Sequence, residues 1–220
     1  MNKEKRINNR LPLAREGVPF IGIGIGITFI LACLGWTSLF LLTAFLTLFV
    51  IYFFRDPERH PPNYENAVVT PADGRILEIR NVDGKNNPFG RPSIKISIFM
   101  NVFNVHVNRI PIQGTIKKIS YHAGKFLSAN LNKASEQNEN NRVTLETADS
   151  KEILIIQIAG LVARRIACWI KEGDSVKIGQ RFGLIRFGSR LEVFLPPDSI
   201  IIAQVGQKVK AGETIIGRLA

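Results

Sequence analysis

Phe187-Gly188-Ser189-Arg190 combines two residue types able to cut the peptide bond between them. Gly188 carries no Cβ, so its carbonyl is sterically open and tolerates a strained conformation. The Ser189 hydroxyl can add to that carbonyl and move the acyl group from nitrogen to oxygen. The resulting ester can eliminate across residue 189, which severs the chain and leaves dehydroalanine; hydrolysis converts this to a pyruvoyl group. Gly-Ser by itself is a common turn dipeptide, so the rest of the chain has to supply the argument.

Other polar positions stand beside apolar runs. Asp73 lies in Thr70-Pro-Ala-Asp-Gly74, which reads as a turn before a strand. His106 lies in Phe99-Met-Asn-Val-Phe-Asn-Val-His-Val-Asn-Arg-Ile-Pro111, where Asn101, Asn104, His106, Asn108 and Arg109 interrupt an apolar pattern. Polar groups this dense, between a strand and a proline, are hard to satisfy in a plain core. His122 reads as a turn residue and His60 as part of a solvated linker. The three histidines are scattered, no His-Glu-x-x-His is present, and Cys33 and Cys168 fit neither a disulfide framework nor a zinc spacing. No metal is expected.

The elements that must position these residues fall into three segments. Residues 1–17 form a basic N-terminus carrying about +3 of the total +11. Val18–Phe54 holds no charged residue over 37 positions, about 55 Å if helical. One straight span is too long for a hydrocarbon core of about 30 Å; two spans broken near Gly35-Trp36-Thr37-Ser38 fit better, a transmembrane helical hairpin. Gly22, Gly24 and Gly26 weaken the first half as an isolated helix and suit packing on the second. Basic residues flank both ends, with Arg55 and Arg59 following, so both ends are expected in the cytoplasm. Ile30-Leu31-Ala32-Cys33 is a faint lipoprotein cleavage pattern, but the apolar run continues far beyond it. Anionic lipid suits the positive charge better than nucleic acid, since no basic run with interleaved aromatics and no helix-turn-helix follows.

Residues 55–220 read as a mainly β (α+β) catalytic domain behind a proline-containing linker. Strands are expected over Ile76–Ile79, Ile94–Phe99, Gly114–Ile119, Val143–Thr147, Ile153–Ala159, Val162–Ile170, Arg181–Ile185, Leu191–Leu195 and Ile200–Val205, with a loop over Asn130–Arg142. A weak repeat links Glu172-Gly-Asp-Ser-Val-Lys-Ile-Gly179 to Val205-Gly-Gln-Lys-Val-Lys-Ala-Gly212, and Asp73-Gly-Arg-Ile76 to Gln113-Gly-Thr-Ile116. Paired units of this kind resemble the barrel-sandwich β core of lipoyl and biotinyl carrier domains.

Taken together, the Pro-Ala-Asp-Gly turn, Asn101–Pro111, Tyr121–Asn141 with its Lys-Ala-Ser-Glu, and Phe187–Arg190 resemble phosphatidylserine decarboxylase in its short form. The resemblance implies a proenzyme that cuts itself between Gly188 and Ser189 into chains 1–188 and 189–220, the short one beginning with the pyruvoyl group. It implies decarboxylation of phosphatidylserine to phosphatidylethanolamine. The headgroup amine would condense with the pyruvoyl ketone as an imine, the neighbouring carbonyl would accept the electron pair released with CO2, and a general acid would protonate the headgroup carbon. His106 is expected in that role, with a pKa near the working pH, and in cleavage. Asp73 matches the aspartate that assists the serine in longer relatives. Those relatives have two histidines three residues apart; here Arg109 occupies the second place. Arg109, Asn104 and Asn108 are expected to bind substrate, and Arg55, Arg59, Arg109 and Lys125 to attract the anionic headgroup. The expected setting is the cytosolic face of the cell membrane, and a homo-oligomer is compatible with it. The alternative is a membrane-anchored, lipoyl-like adaptor of an export system, which leaves His106 and Phe-Gly-Ser-Arg without a purpose. A lipoyl carrier with Lys133 as acceptor and a pyruvoyl enzyme for a soluble amino acid are weaker rivals.

Overall fold

A computed structural model describes residues 7, 11–125, 137–160, 165–186 and 189–220. Gly188, Lys133 and most of the Asn130–Arg142 loop therefore lie outside the described residues, as do Lys3, Lys5, Arg6 and Arg10. Two apolar helices open the structure, α1 (Val18–Cys33) and α2 (Thr37–Phe53). A proline in the first turn of α1 suits a helix start. The chain reverses at Gly35, whose φ of +72° suits a residue without Cβ. Hydroxyls inside the helices bond back to the preceding turn: Thr28, Thr43 and Thr47 donate to the carbonyls of Gly24, Leu39 and Thr43. Gly24 of α1 lies so close to Thr47 of α2 that a Cβ there would come within 2.6 Å of its hydroxyl oxygen. No residue of α1 is buried, and Phe29 and Phe45 are 68% and 67% exposed. Arg15–Cys33 is long and apolar enough to cross a membrane.

The base of the helix pair is tied to the β domain. Ala14 N–H donates to the Phe54 carbonyl and Asp56 N–H to that of Pro12. Phe53 and Phe54 are buried with Ala14, Val105, Val107, Trp169 and Leu184, and Trp169 Nε1 donates to Glu16. Beyond Phe54, residues 55–59 lie along the domain as a strap held by buried ion pairs, whereas the sequence suggested a solvated linker. His60 is exposed, as expected.

The domain contains strands β1 (Ala67–Val69), β2 (Gly74–Val82), β3 (Ser93–Met100), β4 (Val107–Arg109), β5 (Gly114–His122), β6 (Asn140–Glu146) and β7 (Glu152–Ala159). There follow β8 (Ile166–Cys168), β9 (Ser175–Val176), β10 (Arg181–Ile185), β11 (Ser189–Leu195), β12 (Ile200–Ile201), β13 (Lys208–Val209) and β14 (Ile215–Arg218). The expected Val162–Ile170 and Ile200–Val205 strands are shorter, and β1, β4 and β14, each only three or four residues, carried no period-2 signal of useful length.

An eight-stranded sheet runs β13-β2-β3-β11-β7-β6-β5-β9, flanked by β1-β14-β12 and β4-β10-β8. These orders are the same half written twice: β13, β2, β3 and β11 correspond to β9, β5, β6 and β7, and β1-β14-β12 corresponds to β4-β10-β8. The detail repeats as well. Gly206 N–H donates to Ile76 O while Ile76 N–H donates to Gln207 O; Gly173, Ile116 and Asp174 make the same pair of bonds. Gly173, Gly179, Gly206 and Gly212 have φ of +85°, +73°, +86° and +75°, the left-handed turns that the sequence repeat foreshadowed. A bulge falls between Ile76 and Glu78 in one half and between Ile116 and Lys118 in the other. The common core is aliphatic, with Ile96, Ile98, Val143, Ile155, Leu191 and Val193 fully buried.

Candidate functional site

Ser189 begins β11, the strand at the junction of the two halves. It pairs with Met100, the last residue of β3, and with Ala159, the last of β7, so three strand ends meet at the serine. In the other half the positions corresponding to Met100 and Ser189 are Thr147 and Lys151, which are closed by a tight turn. The Ser189 end has no such turn between its paired strands. Ser189 is fully buried, and its hydroxyl donates to Met100 Sδ at 3.3 Å. A thioether is a weak acceptor, so the oxygen keeps its lone pairs for attack.

The same sulfur is reached by Asn108, fully buried, with Nδ2 3.8 Å from Met100 Sδ. Its Oδ1 accepts from Gln157 Nε2 at 2.8 Å, and Gln157 Oε1 accepts from Asn141 Nδ2 at 2.9 Å. Gly183 makes room for this amide: a Cβ there would sit 2.9 Å from Gln157 Nε2. Met100, Gln157 and Asn141 were not singled out from the sequence. The available signal was one glutamine in Ile153-Leu-Ile-Ile-Gln-Ile-Ala159, on the side of the strand that otherwise faces the core. Arg190 turns to the opposite face of the sheet, where it reaches Ser97, Glu192 and Glu78 and anchors the start of β11.

His106 precedes β4 at the same end of the domain. Its Nδ1 lies 2.9 Å from the Asn104 carbonyl, its ring packs on Phe53 of α2 with centroids 4.2 Å apart, and it is fully buried. A carbonyl can only accept, so Nδ1 carries the hydrogen and Nε2 the lone pair. Nε2 is buried without a hydrogen-bond partner among the described residues. Burial pushes the imidazole down to about 4, against the Asn104 hydrogen bond and helped by the Arg55 charge. The sequence suggested a value near working pH; the dry setting under Phe53 is the reason for the difference. Asn104 also shapes the loop, its Oδ1 accepting from Asn101 N–H. Phe103, at the loop tip, is 61% exposed, edge-on to Phe49 of α2, and its carbonyl accepts from Arg55 and Tyr52.

Asp73 and Arg109 make their polar contacts with the strap and the turns around it. The Asp73 carboxylate accepts from Ala211 N–H at 2.7 Å and pairs with Arg59 at 3.0 Å, and Arg59 also reaches Glu213. Burial raises its pKa against the pull of those two partners. Arg109 donates to the carbonyls of Gly179 and Pro57 and pairs with Asp56 at 3.4 Å; burial lowers it to about 10. Asp56, 2% exposed, also takes Arg181 Nε at 2.8 Å. The structure thus joins Ser189 to Asn108 through Met100 and seats His106 against Phe53 and Asn104, while Arg109 and Asp73 hold the strap through Asp56, Pro57 and Arg59. No group of His, Cys, Asp and Glu suited to a metal ion occurs among the described residues.

A model of the phosphatidylserine decarboxylase family matches residues 46–217. The chain is 56% identical over 209 residues to the phosphatidylserine decarboxylase proenzyme of Syntrophus aciditrophicus, a match covering 93% of this chain and 96% of that one. It is 49% identical to the proenzyme of the same name from Desulfotalea psychrophila, over 96% of this chain and 98% of the other. With that of Geotalea uraniireducens the identity is 47%, over 96% and 99%.

Proposed function

The chain belongs to the phosphatidylserine decarboxylase family, and from that premise we propose that it cuts itself between Gly188 and Ser189 and then decarboxylates phosphatidylserine to phosphatidylethanolamine at residue 189. The observation that carries this reading is a fully buried serine hydroxyl, at an open strand end, whose hydrogen-bond partner among the described residues is a thioether. In cleavage, Ser189 Oγ adds to the carbonyl carbon of residue 188, the C–N bond breaks, and the freed nitrogen takes a proton. Loss of the 189 α-proton with departure of the acyl oxygen completes the cut. Water then replaces the nitrogen as ammonia leaves, giving the ketone.

The surroundings fit a pyruvoyl group at 189. The position is dry, and among the described residues the Asn108 amide nitrogen donates to the Met100 sulfur alone, so a carbonyl oxygen there would gain a donor. When present, the group supplies a ketone for the substrate amine and an electron sink for the pair released with CO2. His106 is neutral, so its Nε2 first accepts a proton, from Ser189 in cleavage and from the substrate ammonium in turnover. The same nitrogen then returns a proton to the headgroup carbon. Asn104 orients His106, and Asp73 fixes the turn from which β2 runs beside β3. Arg109 contributes through the strap that joins the site to the membrane segment.

Residues 18–54 act as a membrane hairpin between the basic N-terminus (1–17) and the catalytic domain (55–220). Two facts support this: the helices bury almost nothing within the chain, and both of their bases meet the same domain. Each helix is about 25 Å long at ~1.5 Å per residue, close to the hydrocarbon thickness. Basic flanks favour the cytosolic face. The duplicated halves favour a lipoyl-like barrel-sandwich, and nothing favours the adaptor alternative. After the cut, chain 189–220 stays bound, because β11 is paired along both edges.

Purified wild type should run as two chains, the short one blocked and ketone-bearing, and cyanoborohydride with phosphatidylserine should trap lipid on it. Ser189→Ala should stay a single chain of full mass without activity. An active, uncut protein with a free Ser189 hydroxyl would overturn the proposal.

A further inference from the structure

The duplicated sheet supplies an internal control for the polar residues at the Ser189 end. Registers fix the correspondence: the Arg75–Phe99 and Phe99–Arg190 pairs match Thr115–Glu146 and Glu146–Glu152. By the same registers the paired residues Ile94 and Leu195 occupy the places of Asn141 and Gln157. The β1–β14 pair Val68–Gly217 occupies the place of Asn108–Gly183. Val68, Ile94 and Leu195 are buried core residues, and so the fold closes this corner with aliphatic side chains when nothing else is required. At the other end all three positions are amides. Burying amides without need is unfavourable, so their presence at the serine end, and there alone of the two, calls for a chemical reason.

Their direction supplies it. Asn141 donates to Gln157, Gln157 donates to the Asn108 oxygen, and the Asn108 amide nitrogen donates to Met100 Sδ. A thioether accepts but cannot donate, which selects the N–H end of Asn108 over its oxygen. The three amide dipoles are aligned head to tail, and successive hydrogen bonds of this kind polarise one another. The chain ends in a donor whose acceptor, a sulfur at 3.8 Å, is poor and is shared with Ser189 Oγ.

We infer that Asn141, Gln157 and Asn108 form a one-way amide relay that holds the Asn108 Nδ2–H ready for an oxygen gaining negative charge at the 188–189 bond. Asn108 is the contacting residue; Gln157 and Asn141 are positioning residues acting through it. Neutral amides serve this purpose where a lysine or arginine would not, because a buried cation there would carry a large desolvation cost and hold the site charged at rest. Preorganised donors of this kind act without reorganisation as the charge develops. The inference rests on the self-cleaving reading, and its test separates the two.

The test replaces each amide by its own counterpart from the other half and follows self-cleavage of freshly translated full-length chain by pulse-chase, with melting temperature as the control for folding. Asn108→Val should slow cleavage by roughly 10²–10³, the usual loss for one such donor, and Gln157→Leu by about tenfold or more, with melting unchanged within a few degrees. The double variant should cleave no more slowly than Asn108→Val alone, since Gln157 acts through Asn108. Gln157→Met, which retains the length of the side chain, should behave like Gln157→Leu. Wild-type cleavage rates in Gln157→Leu, losses that multiply in the double variant, or failure of both Gln157 variants to fold would each overturn the relay, the last by showing that the amides are structural. A wild type that never cuts would instead sink the self-cleaving reading.

Discussion

Strand pair β4–β10 carries two layers of buried polar groups where its counterpart β1–β14 is aliphatic, and the two layers are made of different chemistry. Facing Ser189, Asn108 stands where the other half has Val68. One residue on, facing the strap, Arg109 and Arg181 are paired where the other half has Val69 and Ile215. The serine layer is neutral: amides aligned on one another and a histidine that burial keeps uncharged. The strap layer is ionic, with two guanidiniums closing on Asp56. A charge beside the serine would distort every proton transfer there, whereas beside the strap it can be paired permanently. The comparison sets the amides against the serine and the ions against the strap that ties the β domain to its apolar helices.

The largest effect should come from removing the shared anion. Asp56→Ala removes the buried anion from between Arg109 and Arg181, leaving Arg109 two backbone carbonyls and Arg181 the exposed Glu58, which costs about 3–5 kcal/mol and lowers the melting temperature by on the order of 10 °C. The sharper form is Asp56→Leu with Arg109→Val and Arg181→Ile, which installs the aliphatic solution of the other half. That triple variant should melt within about 5 °C of wild type or above it, since apolar replacement of a buried ion cluster is often neutral or stabilising. It should still cut itself. Differential scanning fluorimetry and a gel decide both; loss of cleavage in a well-folded triple variant would show that the strap layer also serves the chemistry.

The sequence drew attention to single unusual residues more readily than to pairs. Gly188-Ser189 and the dense polar run around His106 were legible because each breaks a local expectation, an open carbonyl beside a hydroxyl or polar groups before a proline. The Gly-x-x-Val-x-x-Gly repeat was legible because left-handed turns demand glycine, and the four glycines concerned do have positive φ. Gln157 and Asn141 escaped notice because a lone amide within a strand says nothing until its neighbour across the sheet is known. Asp56 read as linker for the same reason: its partner Arg181 lies 125 residues away and becomes visible only once β10 is in place.

The histidine offers an intermediate effect with a definite sign. His106 titrates near 6.5 when unfolded and about 4 when folded, so the unfolded chain binds the extra proton between those values. Stability from this group is complete above about pH 6.5 and is lost as pH falls toward 4, roughly 3 kcal/mol in all. His106→Phe retains an aromatic ring against Phe53 and removes the titration. Urea unfolding in detergent at pH 7 and pH 4.5 should show a steeper loss for wild type than for His106→Phe. Parallel losses would mean that the ring is not held neutral, and the neutral character of the serine layer would fall with it.

The smallest effect tests whether burial, rather than distance, separates the two carboxylates on Arg181. Glu58 lies 2.9 Å from Arg181 Nη2, as close as Asp56 lies to Nε, but its side chain is 62% exposed whereas that of Asp56 is 1% exposed. The hydrogen bond from Arg181 lowers the Glu58 pKa even so, helped by the same charge and opposed by slight burial. Solvent and salt screen such a pair, and exposed pairs contribute about 0–1 kcal/mol. Glu58→Gln retains the shape and a hydrogen-bond acceptor, so melting should move by no more than about 2 °C, with the difference shrinking further in ~1 M salt. A shift approaching that of Asp56→Ala would mean that the rim of the strap is as dry as its centre, and the ionic layer would then extend to the protein surface at residue 58.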